Sequence, residues 1–374
     1  MTDVKTENLP LIGILGDGQL AMMMIEAYQA LGGKVYVFGA SETSPASSVA
    51  DRVFVGDAND VQALTEFFNA VDVVTLENEF NDSGVLSQAV SQCSTPMLPN
   101  PGRFALIEDK LSEKKFFENL GINQATFFEV TSEDQLIDTA GYLKIAKGGY
   151  DGIGTYRVDN KQEALSCYRK IKSSGTILFE TAIDFKKELS LIAVSNQKDI
   201  VFYPIVETHQ EQGTCRYVTY PAQVSDSIEQ QARSMVGDVL RKLDTSGLFA
   251  FELFLTSDDH LILNESAPRP HNSGHITMDL MDYSQFENHM RAVAGMELKA
   301  PKAVKESMTM INLLGTREGE FDEQALMSMI DDPQSSTTLY RKSHSRMRRK
   351  MGHINIWGSN QQQRAHKLVK ELDV

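Results

Sequence analysis

The chain has 374 residues, 41% of them hydrophobic, and a formal net charge of −15. The length allows two or three domains, and the acidic balance argues against a general polyanion binder, so any anion site has to be built locally. Cys93, Cys167 and Cys215 are too far apart for a disulfide framework or a thiolate metal site. With no apolar signal core and no run long enough to span a bilayer, the expectation is a cytoplasmic protein with no membrane partner.

Residues 11–15 read as a buried strand, 16–21 (Gly-Asp-Gly-Gln-Leu-Ala) as a tight glycine turn, 22–31 as a helix and 34–38 as a second strand. This order opens a parallel α/β sheet. The turn fits G-x-G-x-x-[G/A], which suggests a phosphate over a helix N-terminus. A dinucleotide site also wants an acidic residue closing the second strand, but Gly39-Ala-Ser stands there. NAD is therefore disfavoured, leaving a structural turn or a site for another phosphate. A strand at 52–56 and a helix at 61–70 follow, then a strand at 71–79 that ends in Glu77 and Glu79. Ligands of open sheets lie beyond the carboxyl ends of strands, so both carboxylates are candidate contacts. Pro96, Pro99 and Pro101 mark a domain boundary near residue 100.

A helix at 106–120 carries Lys110, Lys114 and Lys115. Lys144 and Lys147 precede Gly148-Gly-Tyr-Asp-Gly-Ile-Gly-Thr155, whose glycines exclude a helix or a stable central strand. Such a loop can set backbone N–H groups against phosphate oxygens, or be a plain hairpin turn. No Gly-Lys-Ser/Thr closes it, so it is not a Walker loop. Strands are expected at 176–180, 188–194, 200–204 and 248–255, and a helix at 227–243. The strand at 248–255 should pair with 261–265 through the hairpin connection 256–260. If Thr256 faces Leu261, Glu252 lies opposite Glu265, with Cβ atoms about 5 Å apart. Such carboxylates repel unless a cation lies between them. Oxygen ligands without His or Cys point to Mg²⁺. A one-residue slip in register would undo this geometry. A dense polar loop with Arg269, His271, Asn272 and His275 follows, then a helix at 284–294. Six cations fall within residues 341–350, just before a strand at 353–356. That run reads as a phosphate loop for a small anion, a nucleic-acid patch or a solvated charge run.

A carboxylate pair, a glycine loop beside lysines and a second cationic run fit ATP-driven ligation. The arrangement resembles the ATP-grasp superfamily, and within it the N5-carboxyaminoimidazole ribonucleotide synthetases. The resemblance rests on residues 12–20, Glu77 and Glu79, Lys144 with 148–152, the stretch Asn264-Glu-Ser-Ala-Pro-Arg-Pro-His-Asn-Ser-Gly-His275, 284–292 and 349–353, and covers roughly 11–357. It implies an α/β ATP-grasp fold. This comprises an N-terminal Rossmann-like domain (1–104), an ATP-grasp domain (105–300) with a small mobile glycine-loop lid at about 122–184, and a C-terminal substrate-binding extension (301–374).

The resemblance also implies ATP and Mg²⁺ as cofactors and 5-aminoimidazole ribonucleotide and bicarbonate as substrates, with no nucleic acid, in a homodimer. Lys110, Lys144, Gly149, Tyr150, Asp151, Gly152, Gly154, Glu180, Ile183, Glu188, Glu207 and Asn264 would bind ATP, and Glu252 and Glu265 the metal. Gln19, Glu77, Glu79, Tyr150, Asp151, Arg269, His271, Asn272, Lys342, Arg349 and Lys350 would bind the substrates, and Arg269, His271 and Asp151 would be catalytic. Bicarbonate would take the γ-phosphoryl group, and the imidazole amine would capture the carboxyl of the resulting carboxyphosphate. His271 and Asp151 are candidate bases. The chain departs from the family pattern at Asp17, at Ala21-Met22, at Lys110 where arginine is usual, at Ile153 and Thr155 in the glycine loop, and at Glu207-Thr-His-Gln210. These departures keep two alternatives open: another ATP-grasp carboxylate–amine ligase, such as a formate-using one, and a silent ATP-binding homologue.

Overall fold

The computed structural model describes residues 9–149, 153–330 and 332–372. Strands β1 (Ile12–Leu15), β2 (Val35–Gly39), β3 (Arg52–Val55), β4 (Val73–Leu76) and β5 (Met97–Leu98) form a parallel sheet in the order β3-β2-β1-β4-β5. These strands read as continuous apolar runs because helices cover both faces. Helices α2 (Val61–Phe68) and α3 (Ser83–Ser91) bury Phe67, Phe68 and Leu86 against Leu15, Phe38 and Leu76. On the other face α1 (Gln19–Ala30) buries Met22, Met23 and Met24 against Ile12, Ile14 and Val35. Strand order reverses between β1 and β4, which places the glycine turn after β1 and Glu77 after β4 at the switch point where such sheets bind ligands.

The helix expected over 106–120 begins only at residue 110. Short α4 (Pro101–Phe104) precedes α5 (Lys110–Asn119), because the Asp109 carboxylate caps Ser112 N and restarts the helix there. Strands β6 (Phe127–Glu129), β7 (Gly141–Ile145), β8 (Thr155–Val158) and β9 (Ile177–Thr181) form a separate antiparallel sheet, order β6-β9-β7-β8. Helix α6 (Lys161–Ile171) packs on it through Ala164, Tyr168 and Ile171. The glycine-rich stretch is the β7–β8 hairpin connection.

The largest sheet is antiparallel. Strands β10 (Lys187–Ser195), β11 (Ile200–Phe202), β12 (Val206–Glu211), β13 (Thr214–Tyr220), β14 (Gly247–Leu255), β15 (Leu261–Ala267) and β16 (Met308–Leu314) continue into β18 (Ser335–Leu339) and β20 (Lys350–Trp357). The path is β15-β14-β10-β12-β13-β16-β20-β18, with β11 on β10, so the C-terminal strands extend the sheet that carries Glu252 and Glu265. Helix α7 (Asp226–Leu243) covers one face with Val236, Leu240 and Leu243 against Phe249, Phe251 and Leu253. After the short α8 (Thr277–Leu280), α9 (Gln285–Val293) lies between α1 and this sheet. The remaining elements are β17 (Gly319–Glu320) paired with β19 (His344–Ser345), α10 (Glu323–Met329), and α11 (Gln361–Glu371), which packs on β16 and β20. Among the described residues no helix is long and apolar enough to cross a membrane.

One side chain joins the parallel sheet to the large one. His289 on α9 is fully buried, accepts the Leu248 N–H at Nδ1 (3.1 Å) and meets Thr75 Oγ1 at Nε2 (3.2 Å). The backbone donor fixes the tautomer, so Nε2 carries the proton and donates to Thr75, whose hydroxyl donates to Leu98 O (2.9 Å).

Candidate active site

A cavity of about 1180 Å³ opens where the carboxyl end of the parallel sheet, the β7–β8 hairpin, β14–β15 and the basic run 341–350 meet. On one wall Glu252 faces Glu265 directly, as expected, though by another route. At the turn Leu255, not Thr256, pairs with Leu261, one residue off the expected register. A bulge at Asn264 then shifts β15 by one and brings Glu265 opposite Glu252. Lys110 Nζ reaches Glu265 Oε2 at 2.9 Å and holds that carboxyl well below the usual range. Burial, then Glu265, pushes Glu252 up. The pair is therefore half compensated.

The lysines expected to face phosphate are already engaged. Lys144 Nζ binds Glu180 Oε2 at 2.7 Å, and Lys114 Nζ lies 3.7 Å from Glu180 Oε1. Glu180, expected at the adenine and ribose, lines the cavity but serves as the counter-charge of these two buried lysines. Lys147 does not line the cavity. It turns to Glu108 (2.8 Å) and Asp82 (3.7 Å) at the foot of the hairpin. Ile183 and Glu188 line the cavity as expected, beside Phe185 stacked on Phe254 at 4.5 Å; burial pushes Glu188 up to about 7. Glu207 is a correction. Strand alternation turns Thr208 and Gln210 to the cavity and Glu207 away from it, onto Lys187 at 2.5 Å. Gly149 lines the cavity; Gly154, with φ +76°, shapes the hairpin without facing it. The expectations at Tyr150, Asp151 and Gly152 lie outside the described residues.

Across the cavity, Gln19, Glu77 and Glu79 converge at the parallel sheet. The glycine turn carries no room for a phosphate in this conformation, because the Glu77 carboxylate fills the α1 N-terminus and accepts from Leu20 N at 3.3 Å. A Cβ on Gly18 would meet Glu77 Oε1 at 2.3 Å. Gly18→Ala is thus expected to expel Glu77 and to weaken binding of the ligand it faces by about tenfold, or roughly 1.4 kcal/mol, in a titration of that ligand. Arg269 forms a two-pronged pair with Glu79 through Nε and Nη2. Burial opposes it, yet Arg269 pulls Glu79 below the ordinary carboxylate range.

His271 accepts from Ser273 N (3.3 Å) at Nδ1, which also lies 2.8 Å from Ser273 Oγ, and its Nε2 lies 3.5 Å from Glu252 Oε1. The Nδ1 lone pair is consumed, and burial, then Arg269, pushes the ring down to about 3. His271, one of the two candidate bases, presents an Nε2–H donor to the cavity in this arrangement. Asn272 is buried in a reciprocal amide pair with Asn312 (2.8 and 2.7 Å). From the basic run, Lys342, Arg349 and Lys350 all line the cavity. Lys342 donates to Lys350 O at 2.8 Å and is lowered to about 7 by burial and then Arg349. Arg349 donates to His344 O at 2.7 Å. Among the described residues no cluster of three or more His, Cys, Asp or Glu could by itself hold a metal.

Two buried side chains were missed as site residues: Glu113 and Lys114, each 2% exposed. Their signal was available, since Lys110, Glu113 and Lys114 stand at i, i+3 and i+4 on one helix face.

Three family models match in succession: a ribonucleotide synthetase preATP-grasp domain over 9–108, an ATP-grasp domain over 115–286 and a phosphoribosylaminoimidazole carboxylase C-terminal domain over 308–367. The N5-carboxyaminoimidazole ribonucleotide synthase of Staphylococcus saprophyticus is 31% identical over 370 residues, covering 97% of this chain and 96% of its own. The chain belongs to the N5-carboxyaminoimidazole ribonucleotide synthase family. Two solved structures of a family member from Aspergillus clavatus align along nearly the whole fold. One, complexed with ATP, has a TM-score of 0.89 and 30% identity, covering 98% of this chain and 99% of that one. The other, with ADP and 5-aminoimidazole ribonucleotide, has a TM-score of 0.87 and 28% identity, covering 97% of each chain. The ATP-grasp family fold expected from the sequence is therefore the fold observed.

Proposed function

We propose that this chain uses ATP to carboxylate the exocyclic amine of 5-aminoimidazole ribonucleotide with bicarbonate. One observation carries the reading: a single cavity joins the Glu252–Glu265 pair and Lys110 to Gln19, Glu77, Glu79, Arg269 and the 342–350 cations. The nucleotide sits between the β7–β8 hairpin and β14–β15, against Ile183, Phe185 and Glu188. The ribonucleotide takes the opposite end, with Lys342, Arg349 and Lys350 offsetting its phosphate. Arg269 and the His271 Nε2–H donate to bicarbonate, whose oxygen takes the γ-phosphoryl group as ADP leaves; the amine then captures the carboxyl of the carboxyphosphate, losing a proton as inorganic phosphate departs. The protein orients the reactants and keeps water from the mixed anhydride.

The acidic pair fits Mg²⁺. Glu252 has a neutral imidazole 3.5 Å away and is driven toward its protonated form by burial and then by Glu265, which is the condition a divalent cation relieves. When bound between Glu252 and Glu265, with Asn264 alongside, the ion supplies charge neutralisation on the phosphates. The same reading divides the chain at 1–104, 105–300 and 301–374 and makes it a cytoplasmic homodimer, the latter open to sedimentation equilibrium.

The test is ADP release with each of ATP, Mg²⁺, bicarbonate and aminoimidazole ribonucleotide omitted in turn. Full release is expected only with all four present, and formate should not replace bicarbonate. ADP release indifferent to the ribonucleotide would sink the proposal.

A further inference from the structure

The alternation of β15 sets a problem for Glu265. Leu261 and Leu263 both point into the apolar core under α7, and the period of two would send Glu265 after them. A ladder continued without the bulge would set Asn264 opposite Glu252 and Glu265 opposite Phe251, which is fully buried in that core. The bulge at Asn264 is what turns Glu265 into the cavity. Something has to hold the bulge, because the extra residue has no ladder partner on β14.

Helix α5 supplies the holder. β15 is the edge of the large sheet: on its outer side residues 123–124 bond Leu261 O and Leu263 N, and from Asn264 onward no strand of the sheet runs alongside. Lys114 Nζ takes the Asn264 carbonyl at 2.8 Å. Lys110 takes the Glu265 side chain at 2.9 Å. Glu113 Oε1 accepts both the backbone N–H of Ser266 at 2.7 Å and its hydroxyl at 2.6 Å. Three residues on one face of α5 thus grip three consecutive residues of β15. The reading of Glu252 and Glu265 as carboxylates for a cation gives Lys110 a role but leaves Glu113 and Lys114 without one. Burying a carboxylate and an ammonium this deeply, at 2% exposure each, is costly unless both are bonded.

We propose that Glu113 and Lys114 are positioning residues that fix the β15 bulge by bonding the Ser266 N–H and the Asn264 carbonyl, and so aim Glu265 at Glu252. The proposal concerns how the cation site is built, and in that respect it rests on the function proposed above. Neither residue touches the reacting atoms; both act through Glu265.

The test uses the full chain and two readouts. Hydrogen–deuterium exchange of the metal-free protein follows the peptide containing residues 261–267. Manganese paramagnetic resonance measures Mn²⁺ uptake with ATP present. Glu113→Ala is expected to speed exchange at Ser266 and to weaken Mn²⁺ binding by about tenfold, the usual loss when a group orienting a metal ligand is removed. Glu113→Gln, which keeps an acceptor at the same atom, should recover most of both. If Glu113→Ala does not fold, Lys114→Met carries the same two measurements, since it keeps the stem and removes only the ammonium. Unchanged exchange at Ser266 overturns the clamp whatever the metal does. Faster exchange with undiminished Mn²⁺ affinity overturns its link to the cation site. A wild-type chain that takes up no Mn²⁺ with ATP overturns the proposed function instead, while the exchange result still decides the clamp.

Discussion

Glu265→Gln is expected to lower ATP turnover by about 10²–10³-fold, roughly 3–4 kcal/mol of transition-state stabilisation. The substitution removes one carboxylate of the Glu252–Glu265 pair and strips Lys110 of its partner at 2.9 Å. Glu252→Gln should cost turnover on a similar scale, yet the two variants should part company in metal-free stability. The charge on Glu252 is already disfavoured by burial and by Glu265, so an amide there relieves repulsion. At Glu265 the amide strands an ammonium, a loss of about 1–2 kcal/mol; this is below the range for fully buried pairs because Glu265 keeps 37% of its side chain exposed. Steady-state ADP release gives the first comparison and urea unfolding without metal the second. Equal destabilisation by both variants would contradict the half-compensated pair.

Acid should unfold the protein steeply, with the buried imidazoles, His289 among them, as contributors. His275, His289 and His353 are at most 1% exposed, and burial holds all three far below the ordinary imidazole value, His289 and His353 at about 3. The unfolded chain takes up protons below about pH 6.5 and the folded one does not, so stability falls as pH drops through that window, by about 1.4 kcal/mol per pH unit for each imidazole. Glu113 and Glu188, raised to about 7 by burial, have the opposite sign, since the folded state holds their protons down to the unfolded value of 4.5. They offset part of the loss above pH 4.5 and nothing below it. Stability should therefore decline gently from pH 6.5 to 4.5 and sharply beneath. His289→Leu leaves the Leu248 N–H without its acceptor and Thr75 Oγ1 without the donor it accepts from, at a cost of about 2–4 kcal/mol at pH 7. It should also flatten the acid limb by one proton. Urea unfolding from pH 7 to 4 checks both.

The parallel sheet could be read from the strand–turn–helix order because its strands are buried on both faces. The interruption before α5 could not, since a capping bond at Asp109 outweighs a helical pattern that runs through it. The facing of Glu252 and Glu265 came out right through two compensating differences: the turn is shifted by one residue and the bulge restores it. Period and hairpin chemistry carry no mark of a bulge whose cause is a helix more than 140 residues away in the chain. Side-chain partners were the least legible part. Lys144, Lys147 and Glu180 have the types that bind nucleotides, but who neutralises whom depends on contacts between elements distant in sequence. Glu207 shows the converse, since β12 hides it by simple alternation once the strand's limits are known.

The separateness of the four-stranded sheet has a kinetic side. The acidic pair lies on the nine-stranded sheet, and the basic run 341–350 leads from one of its strands, β18, into another, β20. The β7–β8 hairpin belongs to the other sheet and meets α5 through the Leu111–Ala146–Leu178 cluster and the Lys110 N–H to Ala146 O bond, with the Lys147–Glu108 ion pair at its foot. Substitutions at Glu108 or Asp82 are therefore expected to change the rate of ADP release more than that of bond making, as read by pre-steady-state ADP release.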